Sequence, residues 1–223
     1  MPRIAAGVVK FQQEAFPKRR ELYDQLSTGQ EPEALFITCS DSRISPNLMT
    51  STEPGEIFIV RNAGNIVPPH TLHTGGTTAT IEYAVAALKV KHIVVCGHTG
   101  CGAMAGAMAP ETLGGLPHVA EWLAYARAAV QTVQELGQGK SDEEKMRLLI
   151  EQNVLLQLTH LKTHPYVAAA LAAGRVQLHG WVYDIASGEV VAWDENDERF
   201  EPVAERYKNE VAEYAAQVTA QDH

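Results

Sequence analysis

The sequence predicts an α/β fold, with a central, mostly parallel β-sheet flanked by helices. Three short apolar runs, at 34–39, 55–62 and 91–98, alternate with helical segments or loops. Crossovers of this length join parallel strands, whereas hairpin turns join antiparallel ones. The stretch 175–194 has a turn at Ser187 and Gly188 and predicts a hairpin at the sheet edge. We expect a single domain over 1–223, because no linker interrupts the chain.

The first 30 or so residues are expected to form a helical arm in front of the first strand. Apolar residues between Val8 and Leu26 recur near helical spacing over 7–27, and Pro17 should break or kink this helix. The basic cluster at 18–20 is more typical of a solvated helix face than of a binding site. A net charge of −9 also argues against nucleic acid, since phosphate binding needs clustered lysine and arginine.

The remaining helices follow from apolar spacing and from capping residues. Helices are expected at 77–90, at 101–109, at 142–162 with Ser141 and Asp142 as capping residues, and at 165–174 with Gly174 as its C-cap. The segment 110–145 is the least informative part of the chain. The tail after Asp194 is polar and is expected to be helical at most.

The sequence predicts a cytoplasmic protein that does not enter a membrane. The N-terminus lacks the apolar core of a signal peptide, and the longest apolar stretch, near 166–173, is too short to span a bilayer. Thiols stay reduced in the cytoplasm. Metal binding or catalysis is therefore a better explanation for Cys39, Cys96 and Cys101 than a disulfide.

Two of these cysteines and one histidine are expected to meet at one edge of the sheet. Cys39 ends the first predicted strand, and His98 ends the third, three residues before Cys101. Two thiolates and one imidazole favour zinc over magnesium or calcium. Cys96 is better explained as a buried core cysteine. Three ligands leave one position for water or for Asp41, which is the pattern of a catalytic zinc site.

Asp41 and Arg43 predict how that fourth position is controlled. Zinc lowers the pKa of bound water to about 7 and so supplies hydroxide at neutral pH. Arg43 can hold the Asp41 carboxylate in a two-pronged ion pair, which leaves the metal open to water. Without this clamp the carboxylate could itself bind zinc as a fourth ligand. A lone cysteine or a lone Asp-x-Arg pair is usually structural, so the shared sheet edge carries the hypothesis.

Four stretches in this order and spacing, "CSDSR", "RNAGNIVPP", "IEYAVAALKV" and "GHTGCGAM", resemble a β-class carbonic anhydrase. The resemblance covers nearly the whole chain. Within the family, the chain looks closest to the bacterial type that accompanies cyanate degradation, and next to cyanobacterial and plant-type members. It implies reversible hydration of CO₂ to bicarbonate and a proton. It also implies zinc on Cys39, His98 and Cys101, the Asp41 and Arg43 dyad, and a homodimer or a larger assembly of dimers.

The resemblance further implies a substrate pocket. Gln30 matches a glutamine that donates a hydrogen bond to substrate, Phe58 and Tyr83 match aromatic pocket residues, and Gly102 matches a glycine whose backbone lines the site. Some of these residues come from the neighbouring subunit in the family, which implies that the dimer is needed for activity. The plainer alternative stays open, because Phe58 and Tyr83 also suit core positions and Gln30 suits an ordinary loop.

The chain departs from its family at a regulatory pocket. Some bacterial members bind bicarbonate between a tryptophan, an arginine and a tyrosine. Arg61 and Tyr183 match two of these residues, but Phe36 stands in place of the tryptophan and has no hydrogen-bond donor. We therefore expect Asp41 to stay paired with Arg43 at neutral as well as alkaline pH. The fourth position of the zinc would then stay available to water.

Two further departures concern the pocket width and the proton shuttle. Ala63 stands where plant members carry valine, and Ala87 stands where some plant members carry a histidine proposed as a shuttle. His70 and His73 could substitute for that histidine, although solvated loop histidines are the simpler explanation.

Two alternatives to CO₂ hydration remain at this stage. Close relatives of the fold hydrolyse CS₂ or COS, and the sequence separates these activities poorly. A non-enzymatic zinc module is the other alternative. Asp41 and Arg43 argue against it, because such a module has no use for a switchable fourth position.

Overall fold

A computed structural model describes residues 1–221 of the chain and confirms the predicted α/β architecture. Its six-stranded sheet has the order β2-β1-β3-β4-β5-β6. The first four strands in this order are parallel, and β5 and β6 are antiparallel to their neighbours. The strands are β1 (Ala34–Cys39), β2 (Ile57–Asn62), β3 (His92–His98), β4 (Gln177–Tyr183), β5 (Val190–Asp194) and β6 (Arg199–Pro202).

Helices cover both faces of the sheet and precede it as the expected arm. They are α1 (Pro2–Lys10), α2 (Phe16–Lys18), α3 (Arg20–Leu26), α4 (Pro46–Thr50), α5 (Gly76–Glu82), α6 (Gly102–Met108), α7 (Pro117–Leu123), α8 (Arg127–Leu136), α9 (Asp142–Leu161), α10 (Pro165–Ala172), α11 (Val203–Arg206) and α12 (Lys208–Gln221). Turns of π-helix at Phe11–Ala15 and Tyr83–Ala87 extend α1 and α5. Among the described residues, no helix is long and apolar enough to cross a membrane.

The arm is helical but projects from the sheet. It begins at Pro2, earlier than expected, and its helical geometry breaks at Arg19, two residues after Pro17. No residue of α1 is buried. The aromatic rings of Phe16 and Tyr23 stack across this break, with centroids 5.0 Å apart.

The long helix α9 lies directly over β3 and β4. Ser141 caps it by accepting from the Glu144 backbone N–H, and the Glu144 carboxylate accepts from the Ser141 N–H. Gly97 and Gly180 permit the close approach, since a Cβ on either glycine would lie 2.9 Å from a methyl group of Val154. The helix therefore packs against the strand that ends in His98.

The expectation for the tail after Asp194 was wrong, because it contains the strand β6. The Asp194 carboxylate accepts from the Asn196 N–H at 2.7 Å and turns the chain back onto β5. Phe200 then packs on Trp193, with ring centroids 5.3 Å apart. A four-residue strand is too short to show an alternating pattern, so no sequence signal predicts it. Helices α11 and α12 follow.

Two smaller differences concern the boundaries of elements. The second strand begins at Ile57, two residues later than expected. The uninformative segment 110–145 contains α7 and α8, which pack against α6 and α9. The hairpin at Ser187 and Gly188 joins β4 to β5 as expected, with Gly188 at φ +80°.

Candidate metal centre

The carboxyl ends of β1 and β3 bring Cys39 and His98 together with Cys101, the residue that caps α6. Their ligating atoms lie within 4.8 Å of one another, and all three side chains are buried. The two Sγ atoms are 4.0 Å apart. Two thiolates on a tetrahedral zinc, with Zn–S bonds of about 2.3 Å, would be separated by about 3.8 Å. The spacing of the two sulfurs therefore fits zinc.

The imidazole of His98 is oriented for a metal. Its Nδ1 lies 2.9 Å from the Thr99 carbonyl oxygen, which only accepts, so Nδ1 carries the proton. Its Nε2 is buried and has no hydrogen-bond partner within residues 1–221. A buried nitrogen lone pair without a partner is costly, and a metal ion would satisfy it.

The two thiols share a proton in a way that suits a divalent cation. The contact between the two sulfurs lowers the pKa of Cys39, and the Gly64 N–H, which donates to Cys39 Sγ, lowers it further. The same contact and burial raise the pKa of Cys101. Ligating cysteines bind metals as thiolates, so a cation between the sulfurs would displace protons from this pair.

Cys96 stays apart from this cluster, as the core interpretation requires. It is fully buried with Phe36 and Val94 on the sheet face opposite Leu35 and Ile37. Burial raises the pKa of its thiol to about 12, and its S–H donates to the Gly97 carbonyl. All three cysteines are free.

Asp41 and Arg43 form a two-pronged ion pair beside the cluster. Arg43 Nη2 and Nε lie 2.7 and 2.9 Å from the two carboxylate oxygens, and the Arg43 backbone N–H donates to Oδ1 at 3.0 Å. These bonds hold the pKa of the Asp41 carboxyl well below its usual range. Nη2 also donates to the Gly100 carbonyl at 3.0 Å, which ties the pair to the loop that leads to Cys101.

Arg61 has contacts that the sequence did not suggest. Its Nε donates to the Cys39 carbonyl at 3.0 Å and its Nη2 to the Asp41 carbonyl at 2.7 Å. It therefore ties the end of β2 to the end of β1 and to the loop that follows it. The sequence offered Arg61 only as a match to a regulatory pocket, because nothing in it reveals which carbonyls a guanidinium reaches.

The surroundings of Phe36 contain an indole that the sequence reasoning also missed. Phe36 is 1% exposed and packs edge-on against Trp181, with ring centroids 6.0 Å apart. The Trp181 N–H donates to the Tyr207 hydroxyl at 3.2 Å. Tyr183 packs against the same apolar cluster. An indole is thus present near Phe36, but its N–H is engaged elsewhere.

The expected pocket residues lie apart from the cluster of their own chain, with one exception. Gly102 directly follows Cys101 at the start of α6. Gln30 and Tyr83 instead line a separate cavity of about 630 Å³, and the Phe58 ring lies 6.0 Å from that of Tyr83. Phe58 pairs with Leu35, four residues before Cys39 in β1, which corresponds to about 13 Å along a strand.

None of the other departures from the family makes a described hydrogen bond to Cys39, His98 or Cys101. The Ala63 carbonyl accepts from the Trp122 N–H at 2.8 Å, and Ala87 ends the π-helical turn after α5. His70 and His73 are exposed in the loop after β2. The sequence reasoning missed a polar group on α9 that consists of the buried Asn153 and Gln157 and the half-buried His160. Their spacing on one helix face was the signal available for it.

Comparison with known proteins agrees with this geometry. A family model described as "Carbonic anhydrase" matches residues 34–190. The carbonic anhydrase of Pseudomonas aeruginosa is 49% identical over 205 residues, which cover 92% of this chain and 93% of that protein. The solved structure of the beta-carbonic anhydrase CcaA has a TM-score of 0.88 at 42% identity, with 91% of each chain covered.

A third similarity is to a structure from a study of two tetrameric beta-carbonic anhydrases of Sordaria macrospora. Its TM-score is 0.71 at 34% identity, and the match covers 86% of this chain and 92% of that one. The chain belongs to the β-class carbonic anhydrase family, and it is an enzyme of that class.

Proposed function

We propose that the protein catalyses the reversible hydration of CO₂ to bicarbonate and a proton, with zinc held by Cys39, His98 and Cys101. One observation carries the proposal. The buried Nε2 of His98, which has no partner in the described chain, faces two thiols whose sulfurs are 4.0 Å apart. Zinc bound by such a set supplies a Lewis acid that activates water at neutral pH.

The roles proposed for Asp41 and Arg43 follow from their ion pair. Asp41 Oδ2 lies 3.9 Å from His98 Nε2, at the rim of the ligand set. The hydrogen bonds from Arg43 lower the pKa of the Asp41 carboxyl, which favours the carboxylate that can accept a hydrogen bond from water. Arg43 donates hydrogen bonds to both carboxylate oxygens and so keeps Asp41 from becoming the fourth ligand of the zinc.

A homodimer or a larger assembly of dimers is part of the proposal. Gln30, Phe58 and Tyr83 lie away from the metal cluster of their own chain, so a neighbouring chain would have to supply them to the site. The arm exposes Ile4, Val8 and Phe11, an apolar face that a neighbour could cover. Tetrameric relatives agree with this view. Gly102 would line the substrate pocket from its own chain.

The remaining finer assignments stay predictions. They are closeness to the cyanate-associated bacterial type and a cytoplasmic location. The matched relatives are carbonic anhydrases, and no contact among residues 1–221 favours hydrolysis of CS₂ or COS, or a non-enzymatic zinc module.

Stopped-flow measurement of CO₂ hydration tests the proposal. Chelation should remove both zinc and activity, and one equivalent of zinc, but not of magnesium, should restore the activity. A parallel assay of sulfide release from CS₂ should remain at background. Undiminished activity of the metal-free protein, or no CO₂ hydration by the zinc-loaded protein, would contradict the proposal.

A further inference from the structure

Helix α9 places two buried amides against the loop 62–67. Asn153 and Gln157 are 1% and 0% exposed. Asn153 Nδ2 donates to the Gly64 carbonyl at 3.1 Å, and Gln157 Nε2 donates to Asn153 Oδ1 at 2.8 Å. Gln157 Oε1 accepts from the Val67 N–H at 2.9 Å. Buried amides are costly unless they are bonded, and both are bonded into this one loop.

A third residue of the same helix face extends this set. His160 Nδ1 lies 2.7 Å from the Val67 carbonyl oxygen and donates to it. We call Asn153, Gln157 and His160 the polar ladder. On the other side, the Asn62 side chain brackets the loop, since its amide donates to the Ile66 carbonyl and accepts from the Ile66 N–H. The loop is thus fixed from two sides.

The loop needs this support because its backbone is unusual. Gly64 and Asn65 have φ angles of +80° and +49°, so two successive residues are left-handed. A Cβ at Gly64 would lie 2.9 Å from Met104 Cε and 3.1 Å from Ala103 Cβ. Such backbone persists only where the surroundings over-determine it. In this backbone conformation, the Gly64 N–H donates to Cys39 Sγ at 3.4 Å.

We propose that Asn153 is a positioning residue of the metal centre, which holds the Gly64 N–H on Cys39 Sγ and so tunes this sulfur as a ligand. The inference rests on the zinc site proposed above. An N–H donated to a thiolate disperses its negative charge in a buried setting. Hydrogen bonds of this outer kind typically account for about 10–100-fold in metal affinity.

The first test measures zinc release to excess chelator. Asn153→Leu keeps a similar volume but removes the bond to Gly64, and it should release zinc about 10–100-fold faster than the wild type. Gln157→Leu removes the bonds to the Val67 N–H and to Asn153 Oδ1 but keeps the Asn153 bond to Gly64, so its zinc release rate should lie between those of the wild type and Asn153→Leu. The matched control is Leu161→Ala, a fully buried residue of the same helix that makes no hydrogen bond to the loop. It should lower Tm and leave the release rate unchanged.

The second test measures the thiolate-to-cobalt absorption band of cobalt-substituted protein, which depends on the electron density of the sulfur. Loss of the N–H···S bond makes the thiolate more electron-rich, so the thiolate-to-cobalt absorption band of Asn153→Leu should move to lower energy. Leu161→Ala should keep the wild-type band. If Asn153→Leu does not fold, cadmium-113-loaded wild-type protein replaces it. There, a scalar coupling between the metal and the Gly64 amide proton should report the bond directly.

The outcomes separate the two proposals. Wild-type protein that binds neither zinc nor cobalt through its thiols would overturn the metal centre and this inference with it. A wild type that binds both, with an Asn153→Leu variant of unchanged release rate and band, would overturn only the positioning role. Equal acceleration by Leu161→Ala, or a missing cadmium coupling at Gly64, would also overturn it.

Discussion

Strand β3 carries a histidine at each end, and the two ends differ in what surrounds the imidazole. At the amino end, His92 Nδ1 lies 3.1 Å from His179 Nε2, and His179 Nδ1 lies 2.9 Å from the Tyr207 hydroxyl. At the carboxyl end, His98 bonds the Thr99 carbonyl, and its Nε2 has no partner in residues 1–221. The first network is satisfied by the fold alone. At the carboxyl end, His98 Nε2 would gain a partner only from a bound ligand, and this is the feature expected of a binding site.

Removal of a proposed metal ligand near the carboxyl end of β3 should have the largest effect. Cys101→Ala should lose both zinc and CO₂ hydration, because two ligands hold zinc poorly. Cys96→Ala is the matched control, since this equally buried thiol faces the other apolar cluster. Elemental analysis and stopped-flow rates provide the readouts. A Cys101→Ala protein with full zinc would refute the assignment.

Removal of the Arg43 clamp should be the next largest effect. Arg43→Ala should lower kcat/KM by on the order of 10²-fold or more while zinc content stays near the wild-type level, because Arg43 restrains Asp41 rather than the metal. Arg199→Ala is the control, since it breaks an ion pair with Glu201 at the far edge of the sheet. A variant that lost its zinc while Asp41 stayed off the metal would contradict the clamp.

The satisfied network at the amino end should affect stability instead of catalysis. Burial, with His92 and Arg206 nearby, lowers the pKa of His179 to about 4. The unfolded state therefore binds more protons below about pH 6.5, and stability falls as the pH drops from there towards 4. By about pH 5 the loss should reach about 2 kcal/mol.

His179→Gln isolates this contribution from other effects of acid. The variant should lose less stability than the wild type between about pH 7 and pH 5, in denaturant titrations at each pH. Zinc content and CO₂ hydration near neutral pH should not change. Parallel losses in the two proteins would show that His179 does not titrate as described.

The smallest expected effect is that of bicarbonate at neutral pH. Phe36 offers no donor, and a buried anion that lacks one donor loses about 1–3 kcal/mol. Two Arg61 donors already bond the Cys39 and Asp41 carbonyls. Initial rates against bicarbonate concentration should show no cooperative inhibition. Cooperative inhibition would contradict this, as would a crystal with bicarbonate beside Phe36, Arg61 and Tyr183 and with Asp41 on the metal.

The sheet and the ligand cluster could be predicted because both depend on simple regularities. The apolar runs of β1 and β3 end sharply, and parallel topology places Cys39 and His98 at the same edge. The pairing of Asp41 with Arg43 follows from a spacing of two residues. In each case, local sequence and chain direction together decide the geometry.

Other features depend on tertiary contacts that the sequence does not display. β6 forms through a turn, its pairing with β5 and the contact of Phe200 with Trp193. The bonds of Arg61 and of Asn153 depend on how β2 and α9 sit against two loops. Gln30 is a different case, because a role in the site requires a second chain.

X-ray absorption at the zinc edge tests the central claim most directly. Purified protein should contain one zinc per chain, with two sulfur neighbours at about 2.3 Å and two nitrogen or oxygen neighbours at about 2.0 Å. This is the environment expected of Cys39, Cys101, His98 and one oxygen. Protein without zinc, or a spectrum with one sulfur or with four, would contradict the account.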